Sequence, residues 1–315
     1  MTLFFSGNSN YNFMADNTSF DVIIVGGSYS GLAAGMALGR ALKKVLVIDD
    51  GKPCNRQTPF SHNFITHDGK TPFEIATIAK EQLKLYDTIT FFGGLATNGR
   101  AIDKGFEIGV LSGENFSAKK IIFATGIRDI LPDIEGLVAC WGISVLHCPY
   151  CHGYEVRQEK TGILGNGAFA FDLTRLISNW TNDLTVFTNG ASTFTTEQKE
   201  QLEKHHIEIV ETVVEKLEHS KGYIQNIIFD DGSKYSIKAL YAPVPFEQHC
   251  TIPVLLGCRL TEEGYIKVDS FMETTIPGIY ACGDNATAMR TVANAVAMGT
   301  TAGMIASKKM ILEGF

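Results

Sequence analysis

The chain has 315 residues, 45% of them hydrophobic and 19% charged, a globular composition with enough apolar surface for a large core and normally two domains. Its formal net charge of −7 argues against nucleic acid or an anionic membrane surface as partner, because both repel negative charge. Seven cysteines at scattered spacings do not make the even framework of a small secreted disulfide protein, so the expected compartment is the reducing cytoplasm.

Residues 1–20 are expected to form a flexible Asn/Ser-rich extension. Leu3-Phe4-Phe5 has no basic flank and is not read as a signal peptide, and no stretch approaches the roughly 20 apolar residues of a membrane span. From Asp21 onward, Val22-Ile23-Ile24-Val25 reads as a buried parallel strand. Gly26-Gly27-Ser28-Tyr29-Ser30-Gly31 follows, then an apolar helix carrying Leu32, Ala33, Met36, Ala37 and Leu42, then Val45-Leu46-Val47-Ile48 ending in Asp49. This is a βαβ unit of the kind that seats a dinucleotide: unpaired N–H groups at the helix start attract a pyrophosphate, and an acid about 20 residues on accepts from ribose hydroxyls. Gly26 permits the tight turn, Gly31 lets helix approach strand, and Ser28 replaces the usual middle glycine. Asp49 is the expected ribose acceptor, with Asp50 as the competing choice.

Ile121-Ile122-Phe123-Ala124 reads as a further buried strand, ending at Thr125-Gly126. The βαβ pattern then restarts: Gly162-Ile163-Leu164 leads into Gly165-Asn166-Gly167-Ala168-Phe169-Ala170, a helix through Leu173, Leu176 and Ile177, and Leu184-Thr185-Val186-Phe187. Gly165, Gly167 and Ala170 make the GxGxxA form suited to a nicotinamide dinucleotide. Near the C-terminus, Gly278-Ile279-Tyr280-Ala281-Cys282-Gly283-Asp284 reads as a last strand, followed by an Ala/Gly-rich helix over residues 292–310. If this strand and Ile121–Phe123 join the first sheet, the second unit is an insertion, with crossings near 127–132 and 243–248. The expected fold is therefore α/β, with two Rossmann-like three-layer nucleotide-binding domains, the second inserted in the first. The outer domain takes residues 21–127 and 246–315, and the inserted domain takes 128–245.

Between the two fingerprints stands Cys148-Pro149-Tyr150-Cys151-His152. Two thiols at this spacing close a small ring, one thiolate attacking a disulfide and the other resolving the mixed species. His152 has a side chain able to move protons near neutral pH, and His147 offers a competing way to lower a thiol pKa. The string also spells a c-type haem attachment site, which goes with export and another fold. Half a zinc site is the other rival, but no second CxxC or HxxxH exists and Cys250 and Cys258 are widely spaced, so no metal is expected. Cys54, Cys140, Cys250, Cys258 and Cys282 are read as cysteines without a role.

The glycine turn, the Ala-Thr-Gly strand end, CxxC, the second fingerprint and Ala281-Cys282-Gly283-Asp284 together resemble the low-molecular-weight thioredoxin reductase family of FAD-dependent pyridine nucleotide–disulfide oxidoreductases, over residues 21–311. The resemblance implies FAD in the first site, with Gly283 and Asp284 at the ribityl chain and the helix start at Thr291 and Val292 facing the flavin. It also implies Cys151 toward the flavin, Cys148 as the interchange thiol, and a homodimer. NADPH or NADH is implied for the second site, although no Arg or Lys follows Phe187 to clamp a 2′-phosphate. His147 to Glu155 resembles the branch of gliotoxin, holomycin and romidepsin dithiol oxidases. The leading expectation is electron flow from NAD(P)H through FAD to the Cys148–Cys151 disulfide and on to a thioredoxin-like protein. The alternatives are a small-molecule dithiol oxidase using FAD and oxygen, and a flavin-bound redox sensor.

Overall fold

The computed structural model describes residues 18–315, so the N-terminal extension expected over residues 1–20 lies almost wholly outside the described residues. The chain opens with β1 (Ser19–Val25), α1 (Tyr29–Arg40) and β2 (Val45–Asp49). β1 starts two residues earlier than expected because Ser19 and Phe20 pair with Ser117 and Ala118. Leu42, expected on the first helix, lies beyond its end with φ +57° and 82% exposure, and Lys43 N–H closes the helix by donating to the Leu38 carbonyl. There follow α2 (Pro72–Leu83), β3 (Ile89–Gly93), β4 (Ala96–Ile102), β5 (Gly105–Val110) and β6 (Asn115–Phe123). Helix α2 is fixed at its start by a capping box between Thr71 and Glu74, with Pro72 in the first turn.

Next come β7 (Ile127–Asp129), α3 (Leu137–Cys140), β8 (Val145–Leu146), α4 (Pro149–His152), β9 (Thr161–Leu164), α5 (Gly167–Ile177), β10 (Leu184–Phe187), α6 (Thr196–Lys204) and β11 (Glu208–Val210). The chain continues through β12 (Val214–Ser220), β13 (Tyr223–Phe229), β14 (Lys234–Ser236), β15 (Ala239–Tyr241), β16 (Phe246–Gln248), α7 (Ile252–Leu255), β17 (Ile279–Ala281) and α8 (Val292–Glu313).

The first sheet runs β3-β2-β1-β6-β5-β4, with β17 pairing the C-terminal half of β6. Where its parallel strands β1, β2, β6 and β17 meet, over Val22–Val25, Val45–Ile48, Ile121–Phe123 and Ile279–Ala281, each is a continuous apolar run because both faces are covered. On one face Val22, Ile24, Val47, Ile122 and Tyr280 pack against Ala34, Leu38, Ala302 and Ala306 of α1 and α8. These two helices touch closely because Gly299 lies against the Ser30 carbonyl and Gly303 against that of Ala34. The second sheet, β11-β10-β9-β15-β8, is parallel throughout. One of its faces packs on α5 and α6 through Ile163, Val186, Phe171 and Leu202. The other is covered by the antiparallel sheet β12-β13-β14, with Leu137 and Cys140 of α3 packed beside it. The two segments expected as crossings pair with each other: β7 and β16 form an antiparallel ribbon, Ile127 opposite Gln248 and Asp129 opposite Phe246. An Arg128–Glu247 ion pair spans it.

Candidate active site

The first glycine turn joins β1 to α1 and is held by contacts that exclude side chains. A Cβ on Gly31 would lie 1.9 Å from the Gly26 carbonyl oxygen, and one on Gly26 (φ +104°) 2.3 Å from that of Ala124. Strand end, turn and helix start are thereby pressed together. Asp49, at the end of β2, accepts a hydrogen bond from the Gly27 N–H (3.1 Å) and stands 3.3 Å from Lys80 Nζ. Asp50 turns instead to the Lys52 backbone N–H. Ser28 is the N-cap of α1 but places no side-chain oxygen on the first-turn N–H groups, so these donors are left for a ligand.

This turn opens on a cavity of about 870 Å³. Gly26, Ser28, Asp49, Thr125 and Gly126 line it from the first sheet. Asp284, Thr291 and Val292 line it from the β17–α8 junction, and Cys148, Cys151 and His152 from the dithiol segment. Two expected site residues act from behind the wall: Gly31 beneath the turn, and Gly283, whose added Cβ would meet the Ser30 hydroxyl at 2.6 Å. Thr125 Oγ1 accepts from the Asn285 amide (3.2 Å), which also donates to the Phe123 carbonyl (2.9 Å). Thr291, not Asp284, is the N-cap of α8, its hydroxyl accepting from Asn294 N–H.

Three neighbours of Asp284 carry no strong local signal in the sequence. Cys54, read above as having no role, places Sγ 3.8 Å from the Asp284 carboxylate. Cys54 is exposed toward the cavity, and desolvation by the surrounding walls, then the Asp284 charge beside it, push its thiol up to about 12. Arg290 binds Asp129 through two hydrogen bonds of 2.9 and 3.0 Å and brings Nε to 3.9 Å from Asp284. Both members of the Arg290–Asp129 pair are nearly buried, so the ribbon strand β7 is tied to the start of α8 by a desolvated charge pair. Burial raises the Asp284 carboxyl above its ordinary value, with Arg290 opposing.

Cys148 and Cys151 are free thiols at the two ends of the short helix α4, Cys148 at its N-cap. The Cys151 S–H donates to Cys148, and this bond lowers the Cys148 thiol below its usual range against the cost of burial. Backbone N–H groups of Cys151 and Tyr150 and the Arg290 charge act in the same direction. Cys151, as donor, is raised. The direction within the pair thus favours an anion at Cys148 over one at Cys151. His147 and His152 are both lowered to about 4, chiefly by burial, and then by Arg290 for His147 and by His62 for His152. Both imidazoles are neutral near pH 7 and able to accept a proton.

The second fingerprint is built differently. Gly165 and Ala170 make the close strand–helix contact expected of them, a Cβ on Gly165 falling 3.2 Å from that of Ala170, and Gly167 takes φ +65°. None of the three lines the cavity with the dithiol. Asn166 caps α5, its Oδ1 accepting from Gly167 N–H (2.9 Å) and Thr193 N–H (2.8 Å). At the end of β10, the Thr188 hydroxyl donates to the Gly190 carbonyl (2.6 Å) and Asn189 Oδ1 accepts from Val214 N–H (2.7 Å). The Gly167 N–H and the side chains at the end of β10 are thus bonded within the chain, and no cation stands at residues 188–195 to hold a 2′-phosphate. This turn is therefore capped by a side chain and stands apart from the dithiol cavity, whereas the first is uncapped and opens on it.

An uncapped dinucleotide turn and a reactive dithiol facing one cavity define the class: a nucleotide-cofactor oxidoreductase that works on sulfur. The model of the pyridine nucleotide-disulphide oxidoreductase family matches residues 20–299, and the chain belongs to that family. It is 29% identical over 313 residues to the thioredoxin reductase tcpT of Claviceps purpurea, covering 95% of this chain and 97% of the relative. Among solved structures it is similar to an oxidoreductase from Agrobacterium tumefaciens, with 34% identity, a TM-score of 0.87 and coverage of 93% and 99% of the two chains. A putative thioredoxin reductase from Bacillus anthracis superposes with a TM-score of 0.90 at 26% identity, covering 94% and 100%. The expected resemblance is borne out: the protein is a thioredoxin reductase-like flavoprotein oxidoreductase acting on a sulfur group, of a family that uses FAD and NAD(P)H. Among the described residues no helix is long and apolar enough to cross a membrane.

Proposed function

We propose that the chain is an FAD-dependent dithiol–disulfide oxidoreductase that takes electron pairs from a small-molecule dithiol at Cys148–Cys151. The observation that carries this reading is the contrast between the two glycine turns: the first is uncapped by any side chain and opens on the dithiol cavity, and the second is capped by Asn166, stands outside that cavity and has no cation at residues 188–195. In this reading Gly26, Ser28 and Gly31 seat the FAD pyrophosphate, Asp49 the ribose, and Thr125, Gly126, Gly283, Asp284, Thr291 and Val292 the rest of the cofactor. Residues 21–127 and 246–315 form the FAD unit, and 128–245 form the inserted unit, divided at the β7–β16 ribbon. When bound, FAD supplies a two-electron acceptor that takes the pair from the reduced protein dithiol and yields it to oxygen.

The protein's own residues perform the thiol chemistry. An incoming substrate thiol loses its proton to a neutral histidine, and its sulfur attacks Cys148 in the oxidised pair. The Cys148–Cys151 bond breaks, and Cys151 takes the electron pair and a proton. The second substrate thiol then loses its proton and closes the substrate disulfide, and Cys148 leaves as the thiolate that Cys151, Arg290 and the backbone stabilise. Leu131, Val138 and Trp141, from the segment preceding the dithiol, give the cavity apolar surface for a compact substrate. Seven unpaired cysteines suit a reducing cytoplasm, and a homodimer is expected as in the family.

A second reading, reduction of a thioredoxin-like protein by NAD(P)H, is favoured by the relatives' printed name. Anaerobic mixing separates the two. Dithiothreitol is expected to bleach the flavin absorption band of the purified protein rapidly, whereas NADPH and NADH leave it oxidised over the same period. Fast bleaching by either nicotinamide nucleotide would restore the reductase reading.

A further inference from the structure

The β7–β16 ribbon is fastened at both strands to the segment between β17 and α8. On β7, Asp129 accepts two hydrogen bonds from Arg290, 2.9 Å from Nη1 and 3.0 Å from Nη2, and the two side chains are only 12% and 11% exposed. On β16, the Gln248 amide donates to the Asn285 and Gly264 carbonyls, each at 2.9 Å. Away from the ribbon the same two stretches of chain are β8 and β15, which pair in parallel with Val145 opposite Leu240. Cys148 comes two residues after the end of β8, itself the edge of the second sheet. Whatever holds the ribbon therefore holds the sheet edge that carries the dithiol.

Arg290 has a second end. Its Nη atoms are taken by Asp129, but Nε is buried and has no hydrogen-bond partner. Asp284 Oδ2 stands 3.9 Å from it, too far to accept a hydrogen bond. Asn285 Oδ1 and Gln248 Oε1 are unpartnered in the same way, so three of the five such atoms among the described residues lie at this one junction. Arg290, Asp129 and Asp284 all line the cavity. One guanidinium thus stands between a carboxylate of the ribbon and a carboxylate of the cofactor seat, with a donor unspent on the cofactor side. A buried N–H of a charged group without an acceptor is costly, and FAD carries oxygens able to relieve it. We infer that Arg290 is a positioning residue that couples cofactor binding to the placement of the dithiol: its Nη pair holds the ribbon through Asp129, and its unpartnered Nε, beside Asp284, is satisfied when FAD fills the cavity. This role rests on the FAD seat assigned above.

The test is amide hydrogen exchange, measured with FAD bound and again after its removal. In wild type, removal is expected to speed exchange of the Ile130 amide, which donates to the Pro245 carbonyl beside the ribbon (2.8 Å), by about tenfold, the scale of one charge-assisted hydrogen bond. Amides of β13, in the sheet behind the dithiol unit, are expected to change by less than about twofold. Asp129→Asn removes the charged acceptor, and Arg290→Lys keeps the charge but loses both the fork and Nε. In each variant the Ile130 amide is expected to exchange rapidly with or without FAD, the difference falling below about twofold. Coupling is reciprocal, so Asp129→Asn also binds FAD about tenfold more weakly; should one variant fail to fold, the other carries the comparison. Ribbon exchange indifferent to FAD in wild type, an equal rise in β13, or a FAD effect that survives in the variants overturns the role of Arg290 and leaves the cofactor seat standing. A wild-type chain that takes up no FAD removes both.

Discussion

Replacing Cys148 by Ser is expected to abolish thiol–disulfide exchange, by on the order of 10³-fold or more, while the protein stays yellow and folded. Cys148 is the member of the pair that the Cys151 S–H, two backbone N–H groups and the Arg290 charge all stabilise as an anion. A hydroxyl at that position is protonated throughout the working range and cannot leave as a stable anion. The prediction has a second readout that needs no turnover. Because the surroundings of the reduced Cys148 thiol shift it below the usual thiol range, its alkylation by iodoacetamide is expected to be faster than that of an ordinary thiol at neutral pH, and to fall off at lower pH than an ordinary thiol's does. Peptide mapping after brief alkylation should find Cys148 modified well before Cys151, which donates the hydrogen bond and is raised. Preferential modification of Cys151 would reverse the assigned roles.

The second large effect is expected far from any sulfur. Gly31→Ala places a methyl group 1.9 Å from the Gly26 carbonyl oxygen, with the Ala124 Cβ 3.2 Å away on the other side. Neither neighbour is the free end of a flexible side chain, so α1 must move off β1. Such overpacking costs about 1–3 kcal/mol or more, and the displaced helix start no longer aims its N–H groups at a pyrophosphate. The purified variant is expected to melt several degrees lower and to be nearly colourless, read as the ratio of flavin to protein absorbance. Gly93→Ala, at the end of β3 where nothing lies within 4 Å, is the matched control and should leave both quantities unchanged. A fully yellow Gly31→Ala protein would remove the first turn as the cofactor seat.

Both βαβ units were legible in the sequence because their signals are local: apolar β-branched runs, a glycine turn, a helix and a second strand within about 30 residues. The last strand at Ile279–Ala281 was also legible, and its pairing with β6 gives the first sheet the continuity expected for it. The ribbon was read as linkers because Pro132, Pro243 and Pro245 flank it; its strands are only three residues each and pair across more than a hundred positions. The antiparallel sheet β12-β13-β14 has no continuous apolar run in β12, whose Glu215, Lys216 and Glu218 interrupt it, or in the three-residue β14, although Asp231-Gly232 marks the turn between β13 and β14. At the site, CxxC announced itself by spacing. Its electrostatic partners did not, since Arg290 meets Asp129 across 161 positions and Cys54 meets Asp284 across 230.

The central claim is that a flavin in the first site and the Cys148–Cys151 pair form one electron reservoir. Anaerobic reductive titration with dithionite tests it most directly. Wild type, oxidised beforehand, is expected to take up about two electron pairs per chain before the reaction is complete, one for each centre, and Cys151→Ser about one. Equal uptake of a single pair by both proteins would contradict the account, because it would leave the dithiol outside the reach of the flavin.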